Sequence, residues 1–120
     1  MNNQNSKRIE RFGTTRRYSD AVAHGDTVYL VEVAQSLDAD ITTQTREVLA
    51  AIERSLALAG SDKSRLLQAT VYLADIGEIG AMNAVWDDWL PPGCAPVRAC
   101  VEAKLAHPGY RIEIVVVAAR

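Results

Sequence analysis

Along this chain apolar positions alternate with polar ones in some stretches and recur at helical spacing in others, so strands and helices can be told apart by period. Residues 8–18 are weakly patterned and predict a first edge strand. Residues 18–23 and 27–34 are rich in β-branched and aromatic side chains and predict a hairpin about His24-Gly25-Asp26. From Asp38 or Asp40 to Ala59 the period becomes that of a helix, with Ile41, Val48, Ile52, Leu56 and Ala59 on one face and Arg46, Glu47, Glu53 and Arg54 turned away. Asp40 can cap its start and Gly60 its end. Residues 66–73 read as a strand. A second helix is expected from about Ile76 to Leu90, burying Ile79, Met82, Trp86, Trp89 and Leu90, and Pro91-Pro92-Gly93 stops it.

Two more strands follow, 96–104 and 110–120, and they carry charges where a core strand has none. In the second, Ile112, Ile114, Val116 and Ala118 point one way and Glu113, Val115, Val117 and Ala119 the other, so both faces are apolar except at Glu113. An ionised carboxylate there costs several kcal/mol unless a cation, a water or hydrogen-bond donors meet it. In the first, Val97, Ala99, Val101 and Ala103 form the apolar face, leaving Arg98 and Cys100 side by side with Glu102 and Lys104. The turn signal Ala106-His107-Pro108-Gly109 predicts an antiparallel hairpin that sets Glu113 opposite Glu102. Arg98 then lies ~13 Å from Glu113 at ~3.3 Å per residue, so a site using both needs a second copy of the chain.

The order strand, strand, helix, strand, helix, strand, strand describes an α+β layer: one mixed sheet with both helices on one face. Residues 8–120 are expected to form a single domain behind a polar, disordered tail at 1–7. Two helices cannot cover both faces of the sheet, and self-association is the simplest cover for the other.

Composition narrows the chemistry. A net charge of −2 over 120 residues gives no electrostatic footprint for nucleic acid or an anionic membrane. No secretory leader or long apolar run is visible, which makes the cytoplasm the expected location. Cys94 and Cys100 read as free thiols. His24 and His107 sit in turns, and no ligand-spaced His or Cys pair suggests zinc. There is no Gly-rich phosphate loop. No metal or cofactor is therefore expected.

Five segments carry a resemblance: Tyr18-Ser19-Asp20-Ala21-Val22, Ala57-Leu58-Ala59-Gly60, Met82-Asn83-Ala84-Val85-Trp86, Pro96-Val97-Arg98-Ala99-Cys100-Val101-Glu102 and Arg111-Ile112-Glu113-Ile114. Over 18–120 the chain resembles the Rid proteins, also called the YjgF/YER057c/UK114 family. The resemblance implies a chorismate-mutase-like fold, a homotrimer whose sheets face a central barrel, and small-molecule clefts between subunits. It implies cofactor-free hydrolysis of reactive 2-imino and enamino acids to 2-keto acids and ammonia. The family's carboxylate-binding arginine falls on Arg98, its water-positioning glutamate on Glu113, and its cleft-lining residues on Tyr18, Asn83 and Cys100. These types suit the chemistry: a guanidinium fork grips a carboxylate bidentately, and a carboxylate beside an imine carbon can orient water and take its proton.

One block departs from the family. Where active members usually carry Ser-Gly-Gln, this chain has Val31-Glu32-Val33. A glutamate in place of that glycine adds bulk and negative charge, which could neutralise Arg98 and repel an anionic imino acid. Three readings follow: a general imine deaminase; a specialised enzyme of the same fold with Glu32 as an added acid/base; or a non-catalytic, metabolite-binding trimer.

Overall fold

The computed structural model describes residues 8–120; the tail expected at 1–7 lies outside the described residues. Six strands form one sheet: β1 (Ile9–Phe12), β2 (Ala21–His24), β3 (Thr27–Val33), β4 (Leu66–Leu73), β5 (Val97–Glu102) and β6 (Ile112–Ala119). Helix α1 (Ile41–Leu58) connects β3 to β4, and α2 (Ile79–Trp89) connects β4 to β5. The spatial order is β1-β2-β3-β6-β4-β5. Only β4 and β5 pair in parallel; every other pairing is antiparallel.

The expected α+β architecture is present, and its local signals account for it. The Asp40 carboxylate accepts a hydrogen bond from the Thr43 amide and starts α1 one residue later. At the other end Gly60 takes φ +84°, which lets Ser61 N–H reach Leu56 O and Gly60 N–H reach Ala57 O, closing the helix in a Schellman turn. The second helix opens later than its periodicity suggests. Asp75 accepts from Gly77 N–H and sets a single 3-10 turn at Ile76–Glu78 before α2 begins.

Both helices lie on one face. Val28 and Leu30 of β3, Ala69 and Val71 of β4, and Ile112, Ile114 and Val116 of β6 meet Val48, Ile52, Leu56, Met82 and Trp86 in a continuous core. Each full burial of such a side chain contributes roughly 1.5–3 kcal/mol. The opposite face is open. Tyr29, Val97, Val101 and Val115 stand exposed there, and among the described residues no helix covers them.

The hairpin expected at residues 106–109 does not exist. Strands β5 and β6 are separated by β4, and the loop between them straddles its end: Ala103 N–H bonds Leu73 O, and Ala74 N–H bonds Arg111 O. The cause is α2, which carries the chain from β4 across to a parallel neighbour. Helix α1 does the same between β3 and β4, but leaves a gap one strand wide, and β6 fills it.

Candidate functional site

The sheet topology distributes the candidate residues over both faces. Glu113 of β6 is flanked by Val33 of β3 and Tyr72 of β4, on the open face. Arg98 of β5 pairs in register with Ala69 and points to the helix side, where its guanidinium carbon sits 5.2 Å from the centre of the Trp86 ring. Its Nη1 approaches Met82 Sδ at 4.0 Å. The apolar face read from the sequence, Val97, Ala99 and Val101, is the open one, and it is the Arg98 side of β5 that the helices cover.

Arg98 and Glu113 are therefore two strands apart, on opposite faces and offset by three residues, a separation of ~14 Å at ~4.8 Å per strand and ~3.3 Å per residue. Among the described residues neither joins an ion pair. Glu102 accepts from Ile76 N–H instead of facing Arg98.

Each lies in its own cavity. The first, about 290 Å³, is walled by Arg98, Asn83, Trp86, Asp87 and Pro96. Asn83 Oδ1 is buried in that region without a hydrogen-bond partner, a loss that a ligand's N–H would repair. Cys100 neighbours Arg98 on the same face and packs against the core. Burial pushes its thiol pKa up and the Arg98 charge opposes that, which disfavours the thiolate; Cys100, expected to line the cleft, is not among the residues that wall either this cavity or that of Glu113.

The second cavity, about 360 Å³, lies at the open end of β3 and holds Glu113, Tyr18, Asp20, Glu32 and Tyr110. Thr15 fixes Tyr18: its hydroxyl accepts from Tyr18 N–H, and its own N–H donates to Tyr18 O, leaving the ring 59% exposed. The motifs place Asn83 with Arg98 and Tyr18 with Glu113. Asp20 and Tyr110 went unread; their only sequence signal was position, beside Tyr18 and just before the Ile-Glu-Ile block.

Glu32 does not sit where its bulk threatened the site. The alternation that puts Val31 and Val33 on the open face turns Glu32 toward α1, where its Oε2 accepts from Ser55 Oγ at 2.7 Å. Through the register Glu32–Ile114–Val71–Cys100 it is three strands from Cys100, so within one chain it lies ~16 Å from Arg98 and cannot neutralise it. Burial raises the Glu32 pKa, opposed by the Ser55 hydrogen bond; the Asp20 charge raises it further and Arg54 lowers it.

A raised carboxyl pKa favours folding at low pH, and that advantage is lost as pH climbs through the raised value. Glu32→Gln keeps a hydrogen-bonding partner for Ser55 and removes the half-buried charge. We expect the variant to equal or exceed the wild type in stability at neutral pH, and the wild type to gain on it as pH falls toward the ordinary carboxylate range. Urea melts at neutral and acid pH check this. A variant that is clearly weaker at neutral pH would show that the Ser55 bond prefers the ionised form strongly enough to outweigh burial.

Residues 8–120 match the family model described as Endoribonuclease L-PSP. The RutC family protein YoaB of Escherichia coli is 46% identical over 111 residues, covering 92% of this chain and 97% of that protein. A solved YjgF-family protein from Neisseria meningitidis superposes with a TM-score of 0.90 at 44% identity, over 96% of this chain and 97% of the other. The chain belongs to the Rid/YjgF family. An uncharacterised Pseudomonas aeruginosa protein has a TM-score of 0.91 at 43% identity, covering 94% of this chain and 99% of that one. A Mycobacterium tuberculosis member of the YjgF/YER057c/UK114 family scores 0.81 at 30% identity, covering 91% of this chain and 92% of the other. Rid membership brings the fold with it: a six-stranded mixed sheet and two helices. Among the described residues no cluster of metal-ligating side chains occurs, and no helix is long and apolar enough to cross a membrane.

Proposed function

We propose that this Rid protein hydrolyses small 2-imino and enamino acids to 2-keto acids and ammonia, without a cofactor, in clefts formed between copies of a homotrimer. The observation that carries the reading is the division of the family's motif residues between two cavities. Arg98 and Asn83 line one, Tyr18 and Glu113 the other, too far apart to grip one small ligand within a chain. Joining the open apolar faces of neighbouring copies buries Tyr29, Val97, Val101 and Val115 and gives a route by which the two half-sites meet.

In the assembled cleft the Arg98 fork holds the substrate carboxylate by paired, charge-assisted hydrogen bonds. The vacant Asn83 Oδ1 is available to an N–H donor. Glu113 orients a water at C2 and accepts its proton while the water oxygen bonds to carbon, giving a carbinolamine. The proton passes to nitrogen, the C–N bond breaks, and ammonia leaves as the C=O bond forms. An imine is already electrophilic, so holding water and carbon together supplies much of the acceleration. The name of the matched family model points to RNA, but a net charge of −2 provides no general attraction for a polyanion.

The test combines mass and turnover. Light scattering is expected to give three times the mass of the chain. An amino-acid oxidase generating imino acids in situ, with semicarbazide competing for them, is expected to show faster keto-acid release and less trapped imine when the protein is added. A monomer, or an unchanged imine lifetime, would overturn the proposal.

A further inference from the structure

We propose that the half-site around Glu113 receives the side chain of the substrate and selects imino acids whose side chain is apolar, with Val31 and Val33 setting this preference. The inference rests on the imine-hydrolase reading and names the substrate class of the same cleft.

Strand pairing fixes the geometry. Val33 stands directly opposite Glu113, and Val31 opposite Val115, all on the open face. Directly opposed side chains keep their Cβ atoms about 4.5–5.5 Å apart and diagonal ones about 7–8 Å, so both valines are within reach of a small molecule held at the Glu113 carboxylate. Both wall its cavity, together with Ala106, Tyr18 and Tyr110. Tyr110 is held in place there: its N–H donates to His107 O, and its ring packs at a tilt against the His107 imidazole. The other two carboxylates of this cavity are engaged elsewhere. Glu32 accepts from Ser55 on the α1 side, and Asp20 packs against Gly13, its Oδ2 lying 2.1 Å from where a Cβ on that glycine would stand. The surface beside Glu113 on β3 is therefore hydrocarbon. Val31 and Val33 occupy the positions where active members of the family usually carry serine and glutamine, so two hydrogen-bonding side chains have given way to apolar ones next to the group that orients the water.

The substrate supplies the occupant. Its C2 is planar and bears three groups. The carboxylate goes to Arg98 and the nitrogen to the vacant Asn83 Oδ1, both in the other half-site, so with C2 at Glu113 the side chain is the group left to meet Val31 and Val33. An apolar side chain gains by leaving water there, whereas an amide gives up its hydration and finds no partner on the valines.

Leucine and asparagine test this directly, because their side chains match in size and shape and differ in polarity. The oxidase converts each to its imine, and kcat/KM is taken from competition with semicarbazide, corrected for the spontaneous reaction of each imine. The wild type is expected to prefer the leucine-derived imine by about tenfold or more. Val31→Thr/Val33→Thr keeps the β-branched shape and adds two hydroxyls, and its leucine-to-asparagine ratio is expected to fall by about fivefold. Damage to the fold alone would lower both rates and preserve the ratio. Equal wild-type rates on both imines, or an unchanged ratio in the variant, would overturn the selectivity while leaving imine hydrolysis intact. Failure to hydrolyse either imine would overturn the hydrolase reading and the selectivity with it.

Discussion

Arg98→Ala is expected to lower kcat/KM for imine hydrolysis by about a hundredfold, because two charge-assisted hydrogen bonds to a carboxylate are together worth about 3 kcal/mol and each ~1.4 kcal/mol is tenfold in rate. Stability should change far less. The guanidinium rests on the Trp86 ring and near Met82 Sδ, without a protein carboxylate, so folding loses only a cation–π contact of about 1 kcal/mol. Arg98→Lys should recover little, since a point charge cannot form the fork. Glu113→Gln should also be nearly silent. The decisive experiment mixes the two defects. If each cleft takes Arg98 from one copy and Glu113 from the next, random co-assembly in equal amounts restores about a quarter of the clefts. Mixtures no more active than the separate variants would place both groups in one chain's site and contradict the divided geometry.

The largest expected effect on stability comes from Gln44, a fully buried residue on α1. Its Nε2 donates to Ser36 O at 3.0 Å and Gly109 O at 2.9 Å, and its Oε1 accepts from Arg111 N–H at 2.9 Å. One side chain thus ties the helix to the β5–β6 loop two residues before Glu113. Gln44→Leu leaves those backbone groups buried and unpaired, at ~1–3 kcal/mol each, so the unfolding free energy should fall by about 4 kcal/mol. Activity should drop as well, because the start of β6 loses its anchor. Denaturant melts and the imine assay check both; a loss under about 1 kcal/mol would mean that water reaches these groups and satisfies them.

Gln44 also marks where the sequence stops being legible. Local signals carried far: the Asp40 cap and Gly60 fixed the ends of α1, and 66–73 was read as a strand with its observed limits. Tertiary choices were not local. The His107-Pro108-Gly109 signal is a real turn, with His107 Nδ1 accepting from Gly109 N–H, yet the α2 crossover had already assigned β5 its partner. Gln44 carries no local signal of its role, because its partners at 109 and 111 are 65 and 67 residues away. At the site, the motif residues were legible, whereas their division between cavities needed the strand order. Glu32 looked like an obstruction until its register with Ile114 turned it to the helix side.

The slot occupied by β6 has a consequence for synthesis. Strands β3 and β4 leave the ribosome long before the strand that bridges them, and until Ile112–Ala119 emerges each keeps an unpaired inner edge. Long-range pairings of this kind form slowly, and sheet edges left open in the meantime invite pairing with other chains. Nascent chains halted before Ile112 should therefore remain sensitive to protease, with protection appearing abruptly once β6 is available. The strand that carries Glu113 is thus also the one that completes the sheet, so a translation product lacking it would form neither the half-site nor a stable subunit.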